Sequence, residues 1–254
     1  MSPLDQLSKY GFVTADKVSP PTLLSTGTKA LDNLLGGGLE VGLTHLFYGS
    51  RSLHNDLLRL AVHAQLPKSK GGLATPTVII DSANAFKIER ITDYAFEFGL
   101  EPEDVMDRIY VSRAFNASQT YSLVMEQLEG FFHRVAARLL IVAGLPDLYI
   151  SESVTADGNQ QISHMASRLK TFTMNREIVT VVTAPASQKN PDHPMGGRTL
   201  ASAAQVHIKV EESKSYFRYT LTKHPLYTVR QVLRTKQSDF GTTLPLSHFI
   251  DGLE

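Results

Sequence analysis

Three runs of nearly unbroken apolar residues constrain this chain more than any other feature. Leu139-Leu140-Ile141-Val142 has no polar interruption, and Thr77-Val78-Ile79-Ile80-Asp81 and Ile178 to Thr183 are close to it. A strand covered on one face alternates apolar with polar residues. A continuous apolar strand needs cover on both faces, as in a central parallel strand. Helical apolar spacing separates the runs, predicting helices over 28–35, 57–65, 87–98, 118–135 and 160–175 and further strands over 43–48 and 109–112. Beyond residue 205 the pattern changes. Residues 206–210, 216–222 and 229–234 alternate like antiparallel strands joined by short turns. The expected fold class is α/β, a doubly wound, mostly parallel sheet with antiparallel C-terminal strands.

The chain has 254 residues, 42% apolar and 20% charged, which suits one globular domain. It divides into an N-terminal linker, 1–22, closed by Ser19-Pro20-Pro21, and a core, 23–254. There is no cysteine, so disulfides and cysteine-based metal sites are excluded and an intracellular compartment fits. Residues 1–20 do not read as a signal peptide, and no stretch approaches the roughly 18 apolar residues of a membrane helix. The formal net charge is zero, so the chain as a whole lacks a nucleic-acid footprint. Locally, residues 81–107 hold eight Asp/Glu against two Lys/Arg, and residues 206–236 hold seven Lys/Arg against two Asp/Glu. Two readings stand: solvated faces, or an acidic protein-binding side opposite a basic side for phosphate.

The block STGTKALDNLLGGGLEVGLTHLFYGS from Ser25, then VHAQLP, IIDSANAFKIERI, GLEPEDVMDRIYVSRAFNASQ, RLLIV and VVTA…PMGGRTLASAAQVHIKV resemble, in order over about residues 10–210, the ATPase core of the RadA branch of RecA-family strand-exchange recombinases. The resemblance implies a RecA-like core, in agreement with the strand and helix pattern.

In that family the strand at 43–48 leads into a phosphate loop of the form GxxxxGK[ST]. Glycines let backbone N–H groups close around phosphates, the Lys neutralises them, and the hydroxyl holds Mg²⁺. Here the loop runs from Gly49 to Asp56. The first glycine is kept as Gly49, but His54, Asn55 and Asp56 stand for the second glycine, the lysine and the hydroxyl. Asp56 is expected to cap the following helix and to repel a phosphate. Ala83 stands where the family has its catalytic Glu, Ala143 where it has the Mg²⁺-associated Asp, and Ala184-Pro185 in the polar sensor pair. Asp147 reads as a turn residue or as a displaced metal ligand. His45, His54 and His63 lack zinc-like spacing. No cofactor and no metal is expected.

Gly11-Phe12-Val13-Thr14-Ala15 matches the family's linker element FxxA, which adds a strand to a neighbouring protomer. Phe12 and Ala15 are therefore candidate partner-binding residues; the alternative is a Phe packed locally. The receiving pocket, involving Tyr110, Ser112 and Leu123, carries the larger, polar Gln127 where the family has a small residue, so the chain is expected to donate the Phe12 contact but to accept one weakly. The family's first DNA-binding loop is Arg-rich, whereas residues 151–159 hold no Lys or Arg. Candidate DNA contacts are Lys189 and Arg198 of the second loop and Lys209, Lys214, Arg218, Lys223, Arg230 and Arg234, with Lys236, of the basic C-terminal strands. No counterpart of the family's small helical N-terminal domain is expected in the roughly 20 residues before the core.

The sequence therefore suggests a non-catalytic recombinase paralog, a pseudo-ATPase that binds a RadA-type recombinase or another paralog and modulates homologous recombination and repair. DNA binding by the chain alone is expected to be weak, membrane association is not expected, and the location would be cytoplasmic or nuclear. Two alternatives remain: a structural DNA-binding subunit using the basic strands, and a weak ATPase with relocated ligands.

Overall fold

Asp32 ties the entry of the core to its first helix. Its carboxylate accepts from the Ser25 hydroxyl at 2.6 Å and from the Thr26 N–H and hydroxyl at 2.7 and 2.8 Å. These bonds fasten the turn that precedes the helix to its first turns. Helix α1 (Lys29–Leu35) then ends at Gly36, whose φ of 74° lies in the left-handed region. Strand β1 (Leu23–Leu24) pairs antiparallel with β2 (Leu39–Glu40) across this turn. The computed structural model describes residues 20–153 and 156–236.

The main sheet is built from β3 (Thr44–Gly49), β4 (Thr77–Asp81), β5 (Ile109–Arg113), β6 (Leu139–Ala143), β7 (Val179–Ala184), β8 (Val206–Glu212), β9 (Tyr216–Lys223) and β10 (Arg230–Thr235). Their order is β10-β9-β8-β3-β7-β6-β4-β5. Strands β8, β3, β7, β6, β4 and β5 are parallel, and β9 and β10 continue the sheet antiparallel. This is a RecA-like α/β architecture, as the alternation of buried strands and helices implies.

The apolar runs are buried on both faces. Leu57, Ile79, Ile141 and Val181 belong to one core, beneath α1, α2 (Leu53–His63) and α3 (Arg90–Phe98). Leu46, Val78, Val142 and Val182 belong to the other. That second face is covered by α5 (Ala117–Ser122), α6 (Leu128–Arg134) and α8 (Ala156–Arg176). A π-helical turn, Leu123–Gln127, joins α5 to α6, so the expected long helix has a widened middle.

Three short helices escaped the periodicity: α4 (Pro102–Met106), α7 (Asp147–Ser151) and α9 (Gly197–Ala203). Each spans under two turns, too short to present a repeating apolar stripe. More consequentially, α2 starts at Leu53 rather than Leu57, because Leu53 is itself core. His54, Asn55 and Asp56 are thus helical. No helix of the described residues is long and apolar enough to cross a membrane.

Candidate functional site

The sheet reverses its winding at β3. The chain leaves β3, passes β7 and β6, and re-enters the sheet as β4. The loop after β3 therefore lies at a topological switch point, where the carboxyl ends of parallel strands open a crevice. Local bonds draw the loops there together. The Ser82 N–H donates to the Ala143 carbonyl at 2.9 Å, and the Gly144 N–H donates to the Thr183 hydroxyl at 2.7 Å.

Gly49 makes the turn out of β3 with φ of 120°, and a Cβ there would stand 2.2 Å from the Val210 carbonyl oxygen. The Ser50 N–H donates to that same oxygen at 2.8 Å. Gly49→Ala combines a disfavoured backbone with a backbone clash, and about 2–4 kcal/mol of destabilisation is expected in a urea titration. A cost below about 1 kcal/mol would show that β8 can withdraw from the loop.

The loop closes on itself. The N–H groups of Leu53, His54 and Asn55 donate to the carbonyls of Ser50, Arg51 and Ser52 at 3.2, 3.2 and 3.1 Å. These are the helix N-terminal amides that would otherwise be available to an anion. The Ser50 hydroxyl lies 2.9 Å from the Ser52 hydroxyl and 2.9 Å from a Glu212 carboxylate oxygen, which brings negative charge to the loop.

His54 locks this arrangement. Its Nδ1 is 2.8 Å from the Arg51 carbonyl, and its Nε2 is 3.2 Å from the Thr183 hydroxyl. Thr183 already accepts from Gly144, so its own proton is free for Nε2, and Nδ1 then carries the imidazole hydrogen toward Arg51. The ring stands edge-on to Phe86 at 5.6 Å between centroids. Burial holds its pKa below the usual histidine value, against the opposing bond to Arg51, so the neutral form is favoured. The residue in the second-glycine position is thus built into the fold.

Asp56 does not cap the helix, which corrects the sequence-based expectation. It sits one residue beyond the three free-amide positions, on the side of α2 that faces the antiparallel strands. One carboxylate oxygen accepts from the Tyr219 hydroxyl at 2.6 Å, and the other pairs with Arg234 at 2.7 Å. Burial pushes its carboxyl up, and Arg234 and Tyr219 work against that shift. The cap position belongs to Ser52, whose side chain makes no cap bond.

The remaining positions serve apolar and structural roles. Ala143 is fully buried at the end of β6, and Ala83 packs against Gly144. Asp81 accepts from the N–H groups of Ala85 and Phe86 at 3.2 and 3.5 Å, closing the turn after β4. Asp147 begins α7 through its N–H bond to the Gly144 carbonyl at 2.9 Å, the turn role expected of it. Burial pushes its carboxyl up to about 6, Arg51 opposes that shift, and Asp81 adds to it. Among the described residues no three His, Asp or Glu gather as metal ligands. His45 and His63 lie apart in β3 and α2, each buried.

Much of the basic C-terminal face is tied down. Lys209 bridges Asp192 and Glu211 at 2.8 and 3.1 Å, and Arg218 lies 3.8 Å from Glu211. Lys223 donates to the carbonyls of Ala201 and Ala204, and Arg230 to that of Leu34. Arg234 belongs to Asp56 and Lys236 to Glu212. Lys189, Arg198 and Lys214 are exposed. Phe12 and Ala15 lie outside the described residues, as do Val154 and Thr155 of the first loop and residues 237–254 of the expected core.

At the far edge, β5 has no partner on its outer side among the described residues. Between it and the helical stretch 123–134 runs a cleft of about 320 Å³ lined by Tyr110, Val111, Leu123, Leu128 and Phe131, with Gln127 and Arg134 at the rim. Gln127 lines this cleft, and its amide donates to the Ser122 hydroxyl at 3.1 Å. Arg134 drew no attention in the sequence, since nothing local marks it as a cleft residue.

The model of the Rad51 family matches residues 21–225. The match begins at the linker's end and extends past β9, taking in the crevice at the switch point and the β5 edge with its cleft. The chain belongs to the Rad51 family.

Proposed function

We propose that this Rad51-family protein, whose family places it in recombination and repair, acts as a non-catalytic paralog: it engages a recombinase-type protein and does not turn over ATP. One observation carries the reading. The amides of Leu53, His54 and Asn55 are already bonded to the loop's own carbonyls, and His54 is fastened to Thr183 above them. Opening the loop for a phosphate breaks that set and exposes the ligand to Glu212, with no lysine to compensate. Ala83 and Ala143 offer neither a base nor a metal-bound carboxylate.

What the chain offers instead is the β5 edge, unpaired among the described residues, with its apolar cleft suited to strand addition. The test combines two measurements. Phosphate release from MgATP should equal that of a buffer blank, while the full chain should be retained by an immobilised RadA-type recombinase and lose most of that retention on Val111→Lys. Mg²⁺-dependent phosphate release that disappears on Arg51→Ala would restore the ATPase reading.

DNA contact through the basic strands is the weaker alternative, because most of those cations already serve carboxylates or carbonyls. Neutralising Arg218, Lys223 and Arg230 together should lower thermal stability more than it lowers DNA affinity, which should track Lys189, Arg198 and Lys214.

A further inference from the structure

We propose that Arg134 is a specificity residue of the β5 cleft, selecting an incoming strand that carries a carboxylate just beyond its small apolar residue. The inference rests on the strand-addition reading of that cleft. Its walls are apolar, yet one end is marked by a cation. The Arg134 guanidinium lies 5.9 Å over the Phe131 ring, and Phe131 in turn stacks edge-on to Tyr110 at 5.6 Å. Arg134 is exposed and forms no ion pair with any carboxylate of the described residues. Arg134 is the one charged residue among those that line the cleft, and an occupant of opposite charge complements it.

Geometry fixes where that charge must stand. Tyr110 is near the amino end of β5, so Arg134 marks that end, and Leu123 and Gln127 mark the other. An antiparallel strand, the commoner pairing, runs toward Arg134 and presents its C-terminal side there. From Gln127 to Arg134 the helix rises about 10 Å. Four strand residues span about 13 Å. An aromatic anchor seated by Leu123 and Gln127 therefore places the residue four positions later within reach of Arg134. The occupant is a partner's extended segment with an aromatic residue, a small residue three places on, and Asp or Glu immediately after. This chain's own sequence has that pattern in Phe12, Ala15 and Asp16, which supplies a probe.

The test is fluorescence anisotropy of the full chain with a labelled peptide of residues 9–17, its Asp16→Lys form and its Phe12→Glu form. The native peptide should bind and the Phe12→Glu peptide should not. Asp16→Lys should weaken binding about tenfold at low salt, and added salt should narrow that gap. Arg134→Glu, an exposed change that circular dichroism should find harmless to the fold, should invert the preference and favour the Lys peptide. Equal binding of the native and Asp16→Lys peptides, with Phe12→Glu still inactive, would remove Arg134 as a selector and leave strand addition standing. Failure of all three peptides to bind would remove the docking reading itself.

Discussion

Between about pH 7 and about pH 4.5 the protein is expected to lose roughly 5 kcal/mol of stability, about half each from His45 and His207. Burial lowers His45 to about 3 and His207 to about 4, from an ordinary 6.5. The unfolded chain takes up these protons as the pH falls through 6.5, whereas the folded chain refuses them until about 4 and about 3. Below 6.5 the unfolded state therefore binds more protons, and each group removes about 1.4 kcal/mol per pH unit. The contribution is intact above 6.5 and levels off only below the folded values. His54, His63 and His224 are shifted in the same direction and steepen the loss. A loss of this size matches the lower end of ordinary domain stability, about 5 kcal/mol, so a domain at that end should reach its acid-unfolding midpoint at about pH 4.5. Urea titrations across this range should show the slope, and His207→Gln should reduce it by about one proton. A flat profile would mean that both imidazoles charge in place.

Asp56→Ala is expected to cost about 3 kcal/mol. A lost helix cap costs about 0.5–2 kcal/mol, and removing one member of a buried ion pair about 3–5. The observed partners, Arg234 and Tyr219, select the second mechanism. The value belongs at its lower end, because 29% of the Arg234 side chain stays exposed and its guanidinium also rests over Phe217 and Tyr219. Arg234→Met alone should cost a similar amount by leaving the carboxylate buried beside one hydroxyl. Combining Asp56→Leu with Arg234→Met should recover at least about 1 kcal/mol relative to the sum of the single changes, since neither charge is then stranded. Strictly additive effects would mean that Asp56 and Arg234 do not act as a pair.

That pair also shows where sequence reasoning stops. The strands were legible because Leu139–Val142 and Val179–Thr183 have to be covered on both faces, and their order along the chain follows from the helices between them. The altered phosphate positions were legible because a lysine, a hydroxyl and two carboxylates each have a chemistry that Asn55, Asp56, Ala83 and Ala143 lack. What these residues do instead was not legible. Asp56 reads locally as a cap, but its partner Tyr219 is 163 residues away, brought close by the β8–β9 turn. The basic strands read as a surface because charge can be counted along a sequence. Their engagement with Asp56, Glu211, Glu212 and the Leu34 carbonyl depends on which face each strand turns inward.

A nucleotide that enters this loop has to release the amides of Leu53, His54 and Asn55 from Ser50, Arg51 and Ser52. Backbone amide NMR of the ¹⁵N-labelled chain, titrated with MgATP to millimolar concentration, reads those three groups individually. The account predicts that their resonances stay where they are while only scattered surface amides respond to ionic strength. A saturable shift of the three together, accompanied by loss of the His54–Thr183 contact, would contradict it.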